Sequence, residues 1–133
     1  MKRFCGYLLT LLFLLIIQAC AQMKTPTGGD KDETSPQLTY SAPQLLSTNF
    51  AGDKIVLEFD EYVQLANVRD QVIISPPLDK APDFELKGGN KVIITLNDTL
   101  QANTTYTMNF GEAISDYNEG NILSENLFLF STG

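Results

Sequence analysis

The spacing of strand-forming residues constrains this chain more than any other feature. From residue 36 onward, short runs of apolar and β-branched residues alternate with turn residues, and no stretch carries apolar residues at helical spacing over three turns. Leu38 to Ala42 is a first run, stopped by Pro43. Lys54 to Asp60 (KIVLEFD) alternates and puts Ile55, Leu57 and Phe59 on one face. Gln71 to Ser75 (QVIIS) ends at Pro76-Pro77, which has no N–H to offer a sheet ladder. Pro82 to Lys87 and Lys91 to Leu96 flank Gly88-Gly89-Asn90, a loop suited to a hairpin. Thr104 to Phe110 places Tyr106, Met108 and Phe110 on one side, and Asn126 to Ser131 (NLFLFS) closes the chain. The pattern is that of an all-β domain.

Seven such runs between residues 36 and 133 predict an immunoglobulin-like Greek-key β-sandwich. Tyr106 stands at the start of a late strand, just after the turn residues Gln101 to Thr104. That is the position of a tyrosine corner, in which the phenol bonds to backbone a few residues upstream, so Tyr106 is expected to be structural.

The N-terminal twenty residues differ from the rest. Lys2 and Arg3 precede an apolar run from Tyr7 to Ile17, broken only by Thr10. A charged start followed by a short apolar run is the pattern of an export signal. As a helix, that run would span about 16 Å, roughly half of a hydrocarbon core, so it is read as a targeting segment and not a permanent membrane span. Ile17-Gln18-Ala19-Cys20 resembles the lipobox of bacterial lipoproteins, with Gln18 bulkier than the usual residue at its position. Ala19-Cys20-Ala21 also reads as a site for ordinary signal peptidase, with cleavage before Gln22. The lipobox reading makes 1–19 the signal peptide and Cys20 the lipidated N-terminus. It also leaves the folded domain without a thiol, because Cys5 departs with the signal. Ala21 lacks the aspartate that resembling lipoproteins use for inner-membrane retention, which implies the outer membrane or cell surface as destination. Ordinary cleavage would instead give a periplasmic or secreted product. Residues 20–35, rich in Thr, Gly and charge, cannot build a core and are expected to form a tether. Its random-coil reach would be about 20 Å.

Without residues 1–19, 7 basic residues face 16 acidic ones. Such a balance repels a phosphate backbone and argues against nucleic acid. The chain has no His and no Trp. Serine–histidine–aspartate catalysis, a Cys/His nucleophile pair and a histidine metal cluster are therefore excluded.

The order of pieces adds a family. CAQ at the lipid site is followed by PTGGDKDE in the tether, KIVLEFDEYVQL, VIISPPL, NTTYTMNFGEAISDYNEGN and a terminal FLFSTG. Together they resemble the N-terminal region of Gram-negative lipoproteins bearing a bacterial Ig-like domain of the S-layer (SbsA) type. The resemblance implies a spacer, scaffold or adhesive module with no shared catalytic residues. Chains of that family often continue past this first domain, whereas this sequence stops at Gly133.

Candidate chemistry is sparse. Asp60 and Glu61 are neighbours at a strand end, and adjacent strand residues point to opposite faces, so they cannot form a glycosidase pair without a bulge. Asp116-Tyr-Asn118-Glu119-Gly120-Asn121 is similar to the start of a calcium loop, with Asp116, Asn118 and Glu119 as candidate ligands. The twelfth position of such a loop falls on Leu127, an apolar residue, so no cofactor is expected beyond the lipid. The competing reading makes Asp116 the head of an Asx turn and Gly120 a residue of positive φ. The runs Val72-Ile73-Ile74, Val92-Ile93-Ile94 and Leu127 to Phe130 are continuously apolar where a strand with one wet face should alternate. They predict a partly apolar outer face including Ile73, Ile93 and one of the Phe128 or Leu129 side sets, for an envelope protein or a following domain. Tyr40, Tyr62 and Tyr117 would serve a carbohydrate- or polymer-binding site if the fold gathered them. The leading expectation is a non-enzymatic, lipid-anchored envelope module, with the carbohydrate-binding module as the alternative.

Overall fold

Alternation and turn chemistry produce nine strands and one helical turn among the described residues of the computed structural model, which are 28–133. The expected signal peptide 1–19, Cys20 and the first part of the tether lie outside them. The elements are β1 (Leu38–Ala42), β2 (Lys54–Phe59), β3 (Val63–Leu65), α1 (Val68–Gln71), β4 (Ile73–Ser75), β5 (Asp83–Lys87), β6 (Lys91–Thr95), β7 (Thr105–Asn109), β8 (Ile114–Asp116) and β9 (Leu127–Ser131). No helix among these residues is long and apolar enough to cross a membrane.

Two strands go beyond the predicted seven. β3 and β8 are three residues each, too short to show alternation, and they pair with Val63 opposite Asp116 and Leu65 opposite Ile114. Gln71 ends α1 and does not open a strand. Asn67 takes a left-handed backbone (φ 47°), and its carbonyl accepts the Asp70 and Gln71 N–H groups at 2.9 and 3.0 Å, so β4 starts only at Ile73. The packed unit runs from Lys31 to Gly133, so it takes in residues 31–35 that were expected as tether. The Asn121 side-chain amide holds them by donating to the Asp32 and Thr34 carbonyls.

The larger sheet has the order β1-β2-β6-β5 and the second β4-β7-β9, with β3-β8 as a short third sheet. All these pairings are antiparallel. The inward positions of β2 and β6 are Ile55, Leu57, Phe59, Val92 and Ile94, and those of β7 and β9 are Tyr106, Met108, Phe128 and Phe130. They meet in a single core, closed at one end by Val63, Phe110, Ala113 and Ile114. Face-to-face burial of these side chains is the main stabilising term of a sandwich.

The two lateral sides of the sandwich differ. On one, the chain leaves β1 and runs along β9. Leu46 N–H donates to the Leu129 carbonyl at 2.8 Å, Ser131 N–H to Ser47 at 2.8 Å and Phe50 N–H to Ser131 at 2.9 Å, with Ser47 and Phe130 in parallel register. This crossing stitches the two sheets together. On the other side β4 and β5 are the last strands of their sheets.

Candidate functional site

Several surfaces carry the residues singled out above, and the loop after β8 is the one tied most densely by hydrogen bonds. Asp116 is 1% exposed. One of its carboxylate oxygens accepts the Glu119 and Gly120 N–H groups at 2.6 and 2.9 Å, and the other accepts Asn121 N–H at 2.8 Å. Burial pushes this carboxyl up, but the backbone donors of Glu119, Asn121, Gly120 and Asn118 outweigh it and hold the group below its ordinary range. Gly120 supplies the positive φ of the turn, at 79°. Asp116 therefore heads an Asx-type turn, with both oxygens committed to amides of its own loop. Asn118 and Glu119 point to solvent. Among the described residues no group of three His, Cys, Asp or Glu side chains is placed to hold a metal ion.

The same end of the sandwich gathers most of the acidic candidates. Asp60 lies beside the incoming chain, where its carboxylate accepts Gln37 N–H at 2.8 Å and its own N–H donates back to Gln37. Glu61 is half-buried. Its carboxyl is raised above the ordinary value, first by burial and then by the charges of Asp116, Asp60, Asp32 and Glu119. Tyr62 and Tyr117 face each other across the continuation of the β3–β8 ladder, with Tyr117 N–H donating to the Tyr62 carbonyl at 2.9 Å. Both are exposed, at 63% and 65%, and the Tyr62 ring lies over Gly89, where a Cβ would come within 3.2 Å. Tyr40 is exposed elsewhere, on β1 opposite Glu58. The fold thus brings two of the three candidate tyrosines together.

The expected single apolar face is not formed. Phe128 is 2% exposed and packs with Phe130 inside the core, because it occupies an inward position of β9. Leu129 takes the outward position beside Ser75 and Thr107 and is half-buried. Ile73 is 66% exposed on the outer side of β4, in a row with Asn109 and Leu127. Ile93 belongs to the other sheet, half-buried between Val56 and Glu85. Because the sheets stack face to face, the outward sides carrying Ile73 and Ile93 point in opposite directions, and the two cannot contribute to one patch. The run in β6 is apolar on both faces because its outward residue Ile93 sits against Val56, next to the Lys91–Glu58 ion pair at 3.3 Å.

Tyr106 is 1% exposed and its phenol oxygen accepts Gln101 N–H at 2.9 Å, while its ring stacks on Phe130 with centroids 5.6 Å apart. This backbone bond five residues upstream is the tyrosine corner of Greek-key sandwiches. Residues 32–132 match the sequence profile of a bacterial Ig-like domain. The chain belongs to that family. No curated protein matches this Ig-like chain in sequence. Among solved structures it is similar to an L,D-transpeptidase from Mycobacterium smegmatis, at 13% identity and a TM-score of 0.45 over 74% of this chain. The alignment spans 40% of that structure.

Sequence reasoning missed the lateral side between β4 and β5. Its lining residues come from α1 and the following Val72, from β4, from the β4–β5 connection and from β5, and no local motif joins them.

Proposed function

We propose that this protein is a lipid-anchored cell-envelope module of the SbsA type, without catalysis, whose Ig-like sandwich acts as a spacer and protein-interaction domain. The observation that carries this reading is the position of entry and exit. The chain enters beside Asp60, where Gln37 and Asp60 exchange backbone and side-chain bonds. It leaves at the far end of β9, where Thr132 N–H donates to the Thr104 carbonyl at 3.0 Å. Between them lies the length of β2, six residues or about 20 Å of extended strand. A domain entered at one end and left at the other adds its long axis to the distance from an anchor. The lipobox-like Ile17 to Cys20 supplies that anchor, in the outer membrane or at the cell surface. Tethering also raises effective concentration at the surface, which lets weak contacts matter. Fractionation of cells expressing the Cys20→Ala variant tests the reading. The wild-type chain is expected in the membrane fraction and the variant in the soluble envelope fraction; equal partitioning of both removes the lipid anchor from the account.

One observation favours a second reading, a carbohydrate- or polymer-binding module. Tyr62 and Tyr117 present exposed rings at neighbouring strand ends, flanked by Glu61, Asn118 and Glu119, which offer polar groups for sugar hydroxyls. Co-sedimentation with purified envelope polysaccharide, lost in the Tyr62→Ala/Tyr117→Ala variant, is the outcome this reading requires. No co-sedimentation of the wild-type chain rejects it.

A further inference from the structure

The open lateral side of the sandwich carries a cavity of about 270 Å³. Its wall is apolar, made by Val68 and Val72 around α1, Ile74 of β4, and Pro82 and Phe84 at the start of β5. The one charged residue on its lining is Arg69. The ion pairs among the described residues are Lys87–Glu85 and Lys91–Glu58, so Arg69 faces solvent without a carboxylate partner in a domain that is otherwise strongly acidic. Two strand edges flank the opening. β4 bonds only to β7 and β5 only to β6, so each has one row of backbone N–H and C=O groups with no strand beside it. Across the molecule the equivalent flank is closed by the 46–50 crossing along β9.

We infer that this flank is a docking site for an extended peptide strand of a partner protein, bound along the free edge of β5 with one large apolar side chain in the cavity and an Asp or Glu on Arg69. The inference rests on the interaction-module reading given above and names its surface and partner. Three features select this occupant. A volume of about 270 Å³ lies at the small end of ligand pockets and has room for a single large side chain. Stacked sheets stand about 10 Å apart, so an inward side chain of a strand added to β5 at the level of Phe84 projects into the space between β5 and β4. Backbone pairing supplies affinity and the alternate side-chain pocket supplies selectivity, which is how edge-strand addition works. The Arg69 guanidinium, without an ion-pair partner among the described residues, then selects an acidic residue next to the anchor, where a carboxylate is held in two parallel bonds.

The test is selection of seven-residue peptides from a phage-displayed random library on the full chain purified in mild detergent, on its Arg69→Glu variant and on its Ala81→Trp variant. Ala81 is exposed at the cavity rim, so an indole there covers the opening without entering the core. The wild-type chain is expected to enrich peptides that carry Phe, Leu or Ile within two positions of Asp or Glu. Their synthetic forms should shift the amide resonances of Asp83 to Lys87, lose about tenfold or more in affinity to Ala81→Trp, and give way to Lys- or Arg-containing peptides on Arg69→Glu. Absence of enrichment on the wild-type chain overturns the inference, as does enrichment indifferent to both substitutions. Concentration-dependent dimers that Ala81→Trp abolishes also overturn it, by assigning the flank to a second copy of this chain. Such failures leave the Cys20→Ala fractionation result, and with it the anchored spacer, unaffected.

Discussion

At the residue scale, two carboxyl groups a short distance apart carry opposite effects. Asp116 is ionised, buried and bonded by amides of its own loop, so its folded-state affinity for protons lies below the unfolded one. A depressed carboxyl contributes stability that is fully present above its ordinary value of 3.8 and is lost as pH falls through the folded value. Replacing it with Asn turns one of the two accepting oxygens into an NH2 donor that faces backbone donors, and we predict that Asp116→Asn lowers Tm at pH 7 more than any other single carboxylate-to-amide change in the domain. Glu61 is raised, so its ionised form disfavours folding once pH rises above the ordinary value of 4.5. Glu61→Gln is therefore expected to raise Tm at pH 7 and to change nothing at pH 3, where both side chains are neutral. Thermal melts at the two pH values check both. Tyr106→Phe removes the acceptor of Gln101 N–H and keeps the ring against Phe130, which should cost about 1 kcal/mol in urea denaturation.

At the scale of elements, alternation made most strands readable. β1 has the predicted bounds, Leu38–Ala42, and β2, β6, β7 and β9 each fall within a residue of the predicted ends. Runs of three residues carry no period, which hid β3 and β8. The turn at Asn67 to Gln71 was hidden because its last residue, Gln71, and the following Val72 read as the start of the strand run QVIIS. The turn also lies close against a residue distant in sequence. A Cβ on Gly111, which has φ 53°, would lie 2.9 Å from the Gln71 carbonyl oxygen. Gly111→Ala is accordingly expected to destabilise by more than about 1 kcal/mol, and to shift the amide resonances of Val68 to Gln71. The apolar run in β9 divides in the same physical way. Phe128 is an inward residue and Leu127 an outward one, 2% and 47% exposed. Phe128→Ala should cost about 3–5 kcal/mol and Leu127→Ala about 0.5 kcal/mol or less, measured by equilibrium unfolding.

Across the whole molecule, sheet stacking decides which residues are neighbours, and that is where sequence reading stopped. Ile73 and Ile93 share an apolar context in sequence and end on opposite outer faces. Tyr62 and Tyr117, more than fifty residues apart, become partners across a ladder that three-residue strands cannot announce. The cavity between β4 and β5 lies on the flank that lacks the stitching given to the other by the 46–50 crossing. The tyrosine corner was legible because its donor and acceptor are five residues apart, within a single turn. The proposed anchor rests on a contiguous pattern as well, charge, apolar run and Cys20, all outside the described residues. Placement of the sandwich at a lipid surface depends on that anchor, and the intact mass of the protein extracted from the membrane fraction tests it most directly. The account predicts a product that begins at Cys20 and carries acyl chains; an unmodified product beginning at Gln22 would contradict it.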